Sequence, residues 1–514
     1  MSAVPVPSCE NTFDMSRDAF EKLVEYLRSE QSRKLTHSDL ERALTERGRE
    51  LLRLLLQAHV EDRGQGLAAG PVVGADGVER AEPHLHERGL SSLFGEVRVE
   101  RLGYGAKGTK SLHPLDAELN LPDEEYSLGL RRKAAEQAAQ TSFDATVEYL
   151  ERETGKDVGK RQVEELVRRA AADFNDFYVK TRTPEPSAAT GSILALSADG
   201  KGVVMLPRDL REATRKVAEE RKHKLDKRLS KGEKRGAKRM ATVAAVYTVE
   251  PYLRTPEEVV RTMAPHHEKE KLPRPKVEGK RVWASLVKTP EEVIGDAFLE
   301  GLRRDPNREK TWVALVDGNK TQLKILRKLA RRHRIRLTIV LDIMHLAEYL
   351  WDAAVAFHGE GSKEREEWVS KRLLAVLRGE APHVAAGMRR SATLRGLSSK
   401  EREPVDDCAD YMHTYKPYLR YNQYLAKGLP IATGVIEGAC RHLICDRMDG
   451  GARWSIEGAE SVLQLRALRS SGDFDEYWTH HETREYQRNH VARYDNGQVV
   501  PVRRSRRPTL HRIK

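Results

Sequence analysis

Two aspartates each close an apolar run and stand directly before glycine: Asp199 after SILALSA and Asp317 after TWVALV. A third, Asp342, ends RLTIVL. An acid at the end of a buried strand faces the crevice where open α/β sheets carry their chemistry. Asp-Gly is also an ordinary turn pair, and each aspartate taken alone reads equally as a turn residue. Carboxylates brought close repel one another unless a cation lies between them. Oxygen-only donors suit a hard ion, Mg²⁺ or Mn²⁺. Two such ions about 3.5–4 Å apart would stabilise both oxygens of an in-line phosphodiester displacement. A second ion needs a third carboxylate. Glu437, early in TGVIEGACRHLICDRM, is the candidate; Glu457 and Glu460 lie one helix later and are weaker choices. Asp342 competes with Asp317 for the second position.

These acids need a scaffold that converges them. SILALSADG, ATVAAVYTV and RVWASLV read as three successive strands, which require hairpin connections. Pro290 to Arg304 reads as a helix, TWVALVDG as a strand, Gln322 to Arg334 as a helix and RLTIVLD as a strand. The order β-β-β-α-β-α-β is that of a ribonuclease-H-like α/β core. In such a sheet the first and fourth strands are neighbours, so Asp199 and Asp317 can meet. Asp342 ends the fifth strand, one place further out. Residues 190–345 form the first part of this core, 346–430 a helical insertion, and 431–480 the last part with Glu437.

Upstream, residues 1–83 read as helix followed by a Gly/Ala-rich linker from Gly64, with Ser38 and Glu41 in capping-box spacing. Residues 84–125 hold a small β segment, FGEVRVERL. Residues 126–182 break into three helices, opened by Ser127, by Thr141 or Ser142, and by Asp157, with Gly155 closing the second. This is helix-turn-helix spacing, and the third helix would present Lys160, Arg161, Arg168 and Arg169. An ordinary helical bundle with a solvated basic face fits the same pattern.

The chain carries a net charge of +12, which points to a polyanionic partner. The run RDLREATRKVAEERKHKLDKRLSKGEKRGAKR contributes about +8, enough to neutralise several phosphates. It reads either as a solvated excursion or as a clamp in which Arg221, Lys222, Lys224 and Arg228 touch DNA backbone. Residues 481–514 read as a basic C-terminal tail. Four cysteines without a CxxC pair exclude a disulfide scaffold and a zinc ribbon. No signal peptide or transmembrane run is visible, so a cytoplasmic, nucleoid-associated protein is expected. Trp454, after a glycine pair, is expected to pack or to anchor a helix start, with stacking on an unpaired base as the rival role.

The ordered set ALSADGKG, VALVDGNK, VLDIMHLAEYLW and TGVIEGACRHLICDRMDGGARWS resembles insertion-sequence transposases of the DDE class. It is most similar to the bacterial ISKra-type families, and Mutator-like transposases share the layout. The resemblance implies a catalytic, metal-binding triad of Asp199, Asp317 and Glu437, an upstream DNA-binding region, and a requirement for Mg²⁺ or Mn²⁺, two ions in all. It also implies binding of the element's double-stranded ends and of target DNA, as a homodimer or larger assembly, with no small-molecule cofactor. Relatives place Cys or Asp, two residues, then His after the second catalytic aspartate; here that motif is Asp342-Ile343-Met344-His345. Asp342 and His345 would hydrogen-bond and orient the site, or ligate metal. The alternatives are an inactive, domesticated site-specific DNA-binding protein and a nuclease of this fold that cannot join strands.

Overall fold

The chain folds as two units, residues 1–181 with 475–514, and residues 182–474. The computed structural model describes residues 12–184, 189–220, 237–263 and 274–503.

The first unit opens with helices α1 (Asp14–Arg28) and α2 (His37–Asp62). Thr36, not Ser38, caps α2: its hydroxyl accepts from the Asp39 N–H, and Ser38 already lies in the first turn. A hairpin follows, β1 (Glu82–Ser92) against β2 (Gly95–Gly105). The stretch expected to be a linker is partly core: Ala68 and Val72 are buried with Leu102, Tyr104, Leu112 and Tyr494. Residues 481–503 are correspondingly no tail. They continue the helix Phe474–Asn489 and then return to pair Val502 with Ala68, because Tyr494, Val499 and Val500 supply apolar surface.

Helices α3 (Leu128–Ala138), α4 (Phe143–Thr154) and α5 (Lys160–Ala171) begin and end close to their sequence signals. Ser127 and Ser142 accept from the Leu130 and Ala145 N–H groups, and Gly155 closes α4 at φ +68°. Asp157 does not cap α5; the N-cap is Gly159, two residues later, with Val158 fully buried just before it. The C-terminal helix packs on this trio. Tyr477 donates to the Ala170 carbonyl, and fully buried Arg131 donates to Glu485 at 2.7 Å and also bonds Glu124.

The second unit is an α/β domain on a mixed five-stranded sheet. Its strands are β3 (Ile193–Val204), β4 (Lys238–Val249), β5 (Glu278–Ser285), β6 (Thr311–Val316) and β7 (Leu337–Leu341), in the spatial order β5-β4-β3-β6-β7. The first three pair antiparallel, while β3, β6 and β7 are parallel. Parallel strands are covered on both faces, which is why ILALS, TWVALV and LTIVL are nearly continuous apolar runs. Helix α6 (Pro290–Arg304) carries a Thr289–Glu292 capping box, and α7 (Lys320–Arg332) follows β6. Helices α8 (Ile343–Val355), α9 (Lys363–Leu377), α10 (Ala381–Leu394) and α11 (Ser399–Tyr415) succeed β7. The chain then returns to the sheet as α12 (Gly434–Cys440) and α13 (Ile456–Ser471). Among the described residues no helix is long and apolar enough to cross a membrane.

Glu300 on α6 is fully buried and binds four guanidiniums: Arg182 (3.3 Å), Arg281 (2.6 Å), Arg303 (2.6 Å) and Arg304 (2.8 Å). Burial alone would raise its pKa, but the four cations outweigh that and hold it at about 2. A depressed folded-state pKa stabilises the fold above the unfolded value near 4.5, and the contribution is lost as pH falls toward about 2. Removing one partner of a buried ion cluster costs about 3–5 kcal/mol. Glu300→Gln should therefore lower stability by about that much at pH 7 in urea denaturation. The gap to wild type should narrow steadily below pH 4; a gap independent of pH would contradict this account.

Candidate active site

Strand register sets the geometry. In the parallel pairs Ser197 lies opposite Leu315 and Val316 opposite Leu341. Two residues past Leu315, Asp317 is level with Asp199 on β3. One residue past Val316 and Leu341, Asp317 and Asp342 are level with each other. The Asp342 N–H donates to the Val316 carbonyl at 2.8 Å, which continues that pairing. Three aspartates thus stand side by side: Asp317 and Asp342 directly after β6 and β7, and Asp199 within β3, which does not end at the acid as expected but runs on to Val204 because residues 200–204 pair with β4.

Each is held differently. Asp199, half-buried, accepts from the Gly200 N–H at 2.6 Å on Oδ1 and from the Cys440 thiol at 3.2 Å on Oδ2. Burial, reinforced by the Asp199 carboxylate, pushes the Cys440 pKa up, so the thiol keeps its proton and donates. Asp317, also half-buried, accepts from the Asn319 N–H at 2.9 Å on Oδ1. Its Oδ2 accepts no hydrogen bond among the described residues. The turn after it is clamped from α11: Tyr411 donates to the Asp317 carbonyl at 2.8 Å, and Tyr415 donates to the Gly318 carbonyl. Burial pushes both phenols up, keeping them donors.

Asp342 is buried and caps α8. Oδ1 accepts from the Met344 and Thr433 N–H groups at 3.1 and 3.3 Å, and Oδ2 lies 2.7 Å from the Thr433 hydroxyl. The same hydroxyl is 2.9 Å from Oε1 of Glu437, one turn later and exposed. Thr433, the N-cap of α12, binds Asp342, and Cys440 at the other end of the helix binds Asp199, so α12 meets both acids. The expected Asp342–His345 hydrogen bond is not formed. Asp342 turns back into its own cap, while His345 bonds Glu348 at 3.1 Å and packs edge-on against Tyr349 and Tyr411.

The rival acids are elsewhere. Glu460 on α13 accepts from the Ser285 hydroxyl and the Leu286 N–H at 2.6 and 2.7 Å, stapling the end of β5. Glu457 is exposed one turn earlier on the same helix. Trp454 is buried where its backbone bridges Val204 and Leu206, just before the Ser455 cap of α13, so it anchors a helix start. Cys440, His442 and Cys445 do not converge: Cys440 binds Asp199, and His442 binds Asp446 at 2.9 Å.

Among the basic candidates, Lys160 pairs with Asp144 at 2.9 Å, and Arg169 pairs with Glu124 and Glu165. Arg168 pairs with Glu165, and Arg161 is exposed. Arg221, Lys222, Lys224 and Arg228 lie outside the described residues. In the first unit, Asp173, His481 and Glu485 place ligand atoms within 4.8 Å of one another. Guanidiniums already fill the cationic role there: Arg131 contacts His481 and Glu485 at 3.0 and 2.7 Å, and Arg488 binds Asp173 at 2.5 Å.

Sequence reasoning missed Thr433, Cys440, Tyr411 and Tyr415. Only the acid-plus-three spacing of Glu437 and Cys440 hinted that both face one side of a helix. Comparison of the chain with protein-family models and with curated proteins returns no match.

Gly318 adopts φ +103°, and a Cβ there would meet Tyr411 and Tyr415 at 3.2 Å. Gly318→Ala should therefore destabilise the protein by about 1–3 kcal/mol. Helical Gly295 has open space around it, and Gly295→Ala should stabilise by about 0.5–1 kcal/mol. Opposite shifts in thermal midpoint check both; a neutral Gly318→Ala would refute the clamp.

Proposed function

We propose that the second unit is a ribonuclease-H-like catalytic core performing divalent-metal-dependent phosphodiester chemistry. The observation that supports this most is the register that levels Asp199 with Asp317 on neighbouring parallel strands, with Glu437 on α12 linked through the Thr433 hydroxyl to Asp342. The spatial order β5-β4-β3-β6-β7, with only the β3–β4 and β4–β5 pairs antiparallel, is consistent with that core.

Within this class we infer a DDE transposase. Asp199, Asp317 and Glu437 form the triad, and helices α8–α11 are the insertion before the last acid. The donor set fits Mg²⁺ or Mn²⁺: it is all carboxylate oxygen, and Oδ2 of Asp317 and Oε2 of Glu437 accept no hydrogen bond among the described residues. Asp342 is buried and takes three hydrogen bonds, two of them from Thr433, whereas half-buried Asp199 takes two; this assigns Asp342 an orienting role, holding Thr433 and through it Glu437. Asp199 and Asp317 would hold the ions, with Glu437 completing the second position. Bound ions would supply Lewis acidity at the attacking and leaving oxygens. The chain's own part is to fix three acids at one edge and keep their neighbours protonated donors. Water attacks the phosphodiester at each element end, breaking its P–O3′ bond and releasing a 3′-hydroxyl; that hydroxyl attacks a target phosphodiester and displaces the target strand's own 3′-oxygen. The trio α3–α5, with Lys160 and Arg161 exposed, is assigned to end recognition.

The test is cleavage and joining of duplexes carrying the element's ends in Mg²⁺. Asp199→Asn, Asp317→Asn and Glu437→Gln should each reduce cleavage to background while duplex binding persists, and chelation should do the same to wild type. Retained cleavage in one variant would remove that residue from the triad. Cleavage without joining would favour a nuclease.

A further inference from the structure

Two segments of the second unit contain no acidic residue. Gly318 to Leu341 holds eight lysines and arginines, and Tyr411 to Ile436 holds three. Both are bounded by site acids: Asp317 and Asp342 flank the first, and Glu437 ends the second. The segments also meet in space. Tyr421 and Tyr424 donate to the carbonyls of Leu341 and Ile339 on β7, and the Arg327 guanidinium lies 5.3 Å over the Tyr418 ring.

On α7 the apolar face is buried through Leu323, Ile325, Leu326 and Leu329. Every basic side chain is exposed: Lys320, Lys324, Arg327, Lys328, Arg331 and Arg332, continued by Arg334 and Arg336 before β7. Lys320, Lys324, Lys328 and Arg332 form an i, i+4 ladder of like charge, which costs the helix a few tenths of a kcal/mol per step, about 0.2–0.5. Only Lys328 has an ion-pair partner among the described residues, Glu291 at 2.6 Å. A purely solvated face interleaves both signs, as α9 does with KEREEWVSKR. A shallow cleft of about 430 Å³ lies between Arg327, Arg331, Arg334 and Arg336.

We propose that α7 and the Arg334–Arg336 turn form a docking ridge for the phosphate backbone of duplex DNA. This rests on the reading of the acid edge as a phosphodiester site and adds a surface to it. The thirteen-residue helix spans about 20 Å, close to six base-pair rises along the duplex axis. Its first turn starts at Asn319, two residues from Asp317, so the ridge leads a strand to the acids. Arginine forks suit phosphate oxygens, and the exposed face has no apolar stripe to enter a membrane.

The test is binding of a non-specific duplex to the full chain, by fluorescence anisotropy across a salt series. Lys324→Gln, Arg331→Gln and Arg336→Gln together should lower the slope of log affinity against log salt by about 2–3 and weaken binding about 100-fold at 0.15 M salt. An equal loss of charge on the helical insertion, Lys363→Gln, Arg390→Gln and Lys400→Gln, should change the slope by less than about one. These side chains are exposed, so circular dichroism should show both variants folded. An unchanged slope in the ridge variant, with wild type binding normally, overturns the ridge and leaves the catalytic reading standing. Equal loss in both variants overturns it too, since charge alone would then explain binding. A wild type that binds no duplex overturns both readings.

Discussion

The parallel register of the sheet is the constraint around which the acids of the second unit are organised. The parallel register of β3, β6 and β7 sets Asp199, Asp317 and Asp342 level on neighbouring strands. Carboxylates on neighbouring strands oppose one another unless something offsets them. The fold supplies partial answers from its own donors: two backbone N–H groups and a hydroxyl at Asp342, a thiol at Asp199, a backbone N–H at Asp317. These donors are neutral. In the proposed reading, cations would complete the compensation at Asp199, Asp317 and Glu437, which is the physical basis for that metal chemistry.

The helices after β7 contribute by clamping rather than by adding acids. Tyr411 and Tyr415 reach from α11 to the carbonyls on either side of the Asp317–Gly318 bond. Tyr421 and Tyr424 do the same for β7. Four phenols from one acid-free stretch thus fix the backbone at the ends of β6 and β7, and Glu437 follows directly along the chain. Longer-range ion networks hold the outer parts. Glu300 gathers arginines from three places in the second unit, and Arg131 joins α3 to the C-terminal helix in the first.

What could be read from residues alone followed the range of the interaction. Asp317 and Asp342 were legible because a buried parallel strand is an unbroken apolar run and its end is marked by the first charged residue; Asp199 was found by the same run, but β3 continues past it to Val204 because its far half pairs with β4, a partner remote in sequence. The caps Ser127, Ser142 and Gly155 were legible because capping acts within four residues. The start of α5 was misplaced because Asp157 is a good cap in isolation, whereas buried Val158 fixes the entry at Gly159. β1 escaped notice because Pro83, Gly89 and a shortage of β-branched residues hide its alternation. Thr433 and Cys440 were invisible as site residues, since their partners Asp342 and Asp199 are far away in sequence. The fold of residues 481–503 depends on Ala68 and Val72, equally remote.

The central claim is that Asp199, Asp317 and Glu437 form one cation-dependent centre. The most direct measurement is anomalous X-ray scattering from crystals of the full chain bound to duplex DNA in Mn²⁺. The account predicts Mn²⁺ peaks held by these three carboxylates, beside Asp199 in β3 and past the end of β6. Peaks only elsewhere, for instance at Asp173, His481 and Glu485, or an edge that stays empty at saturating Mn²⁺, would contradict it.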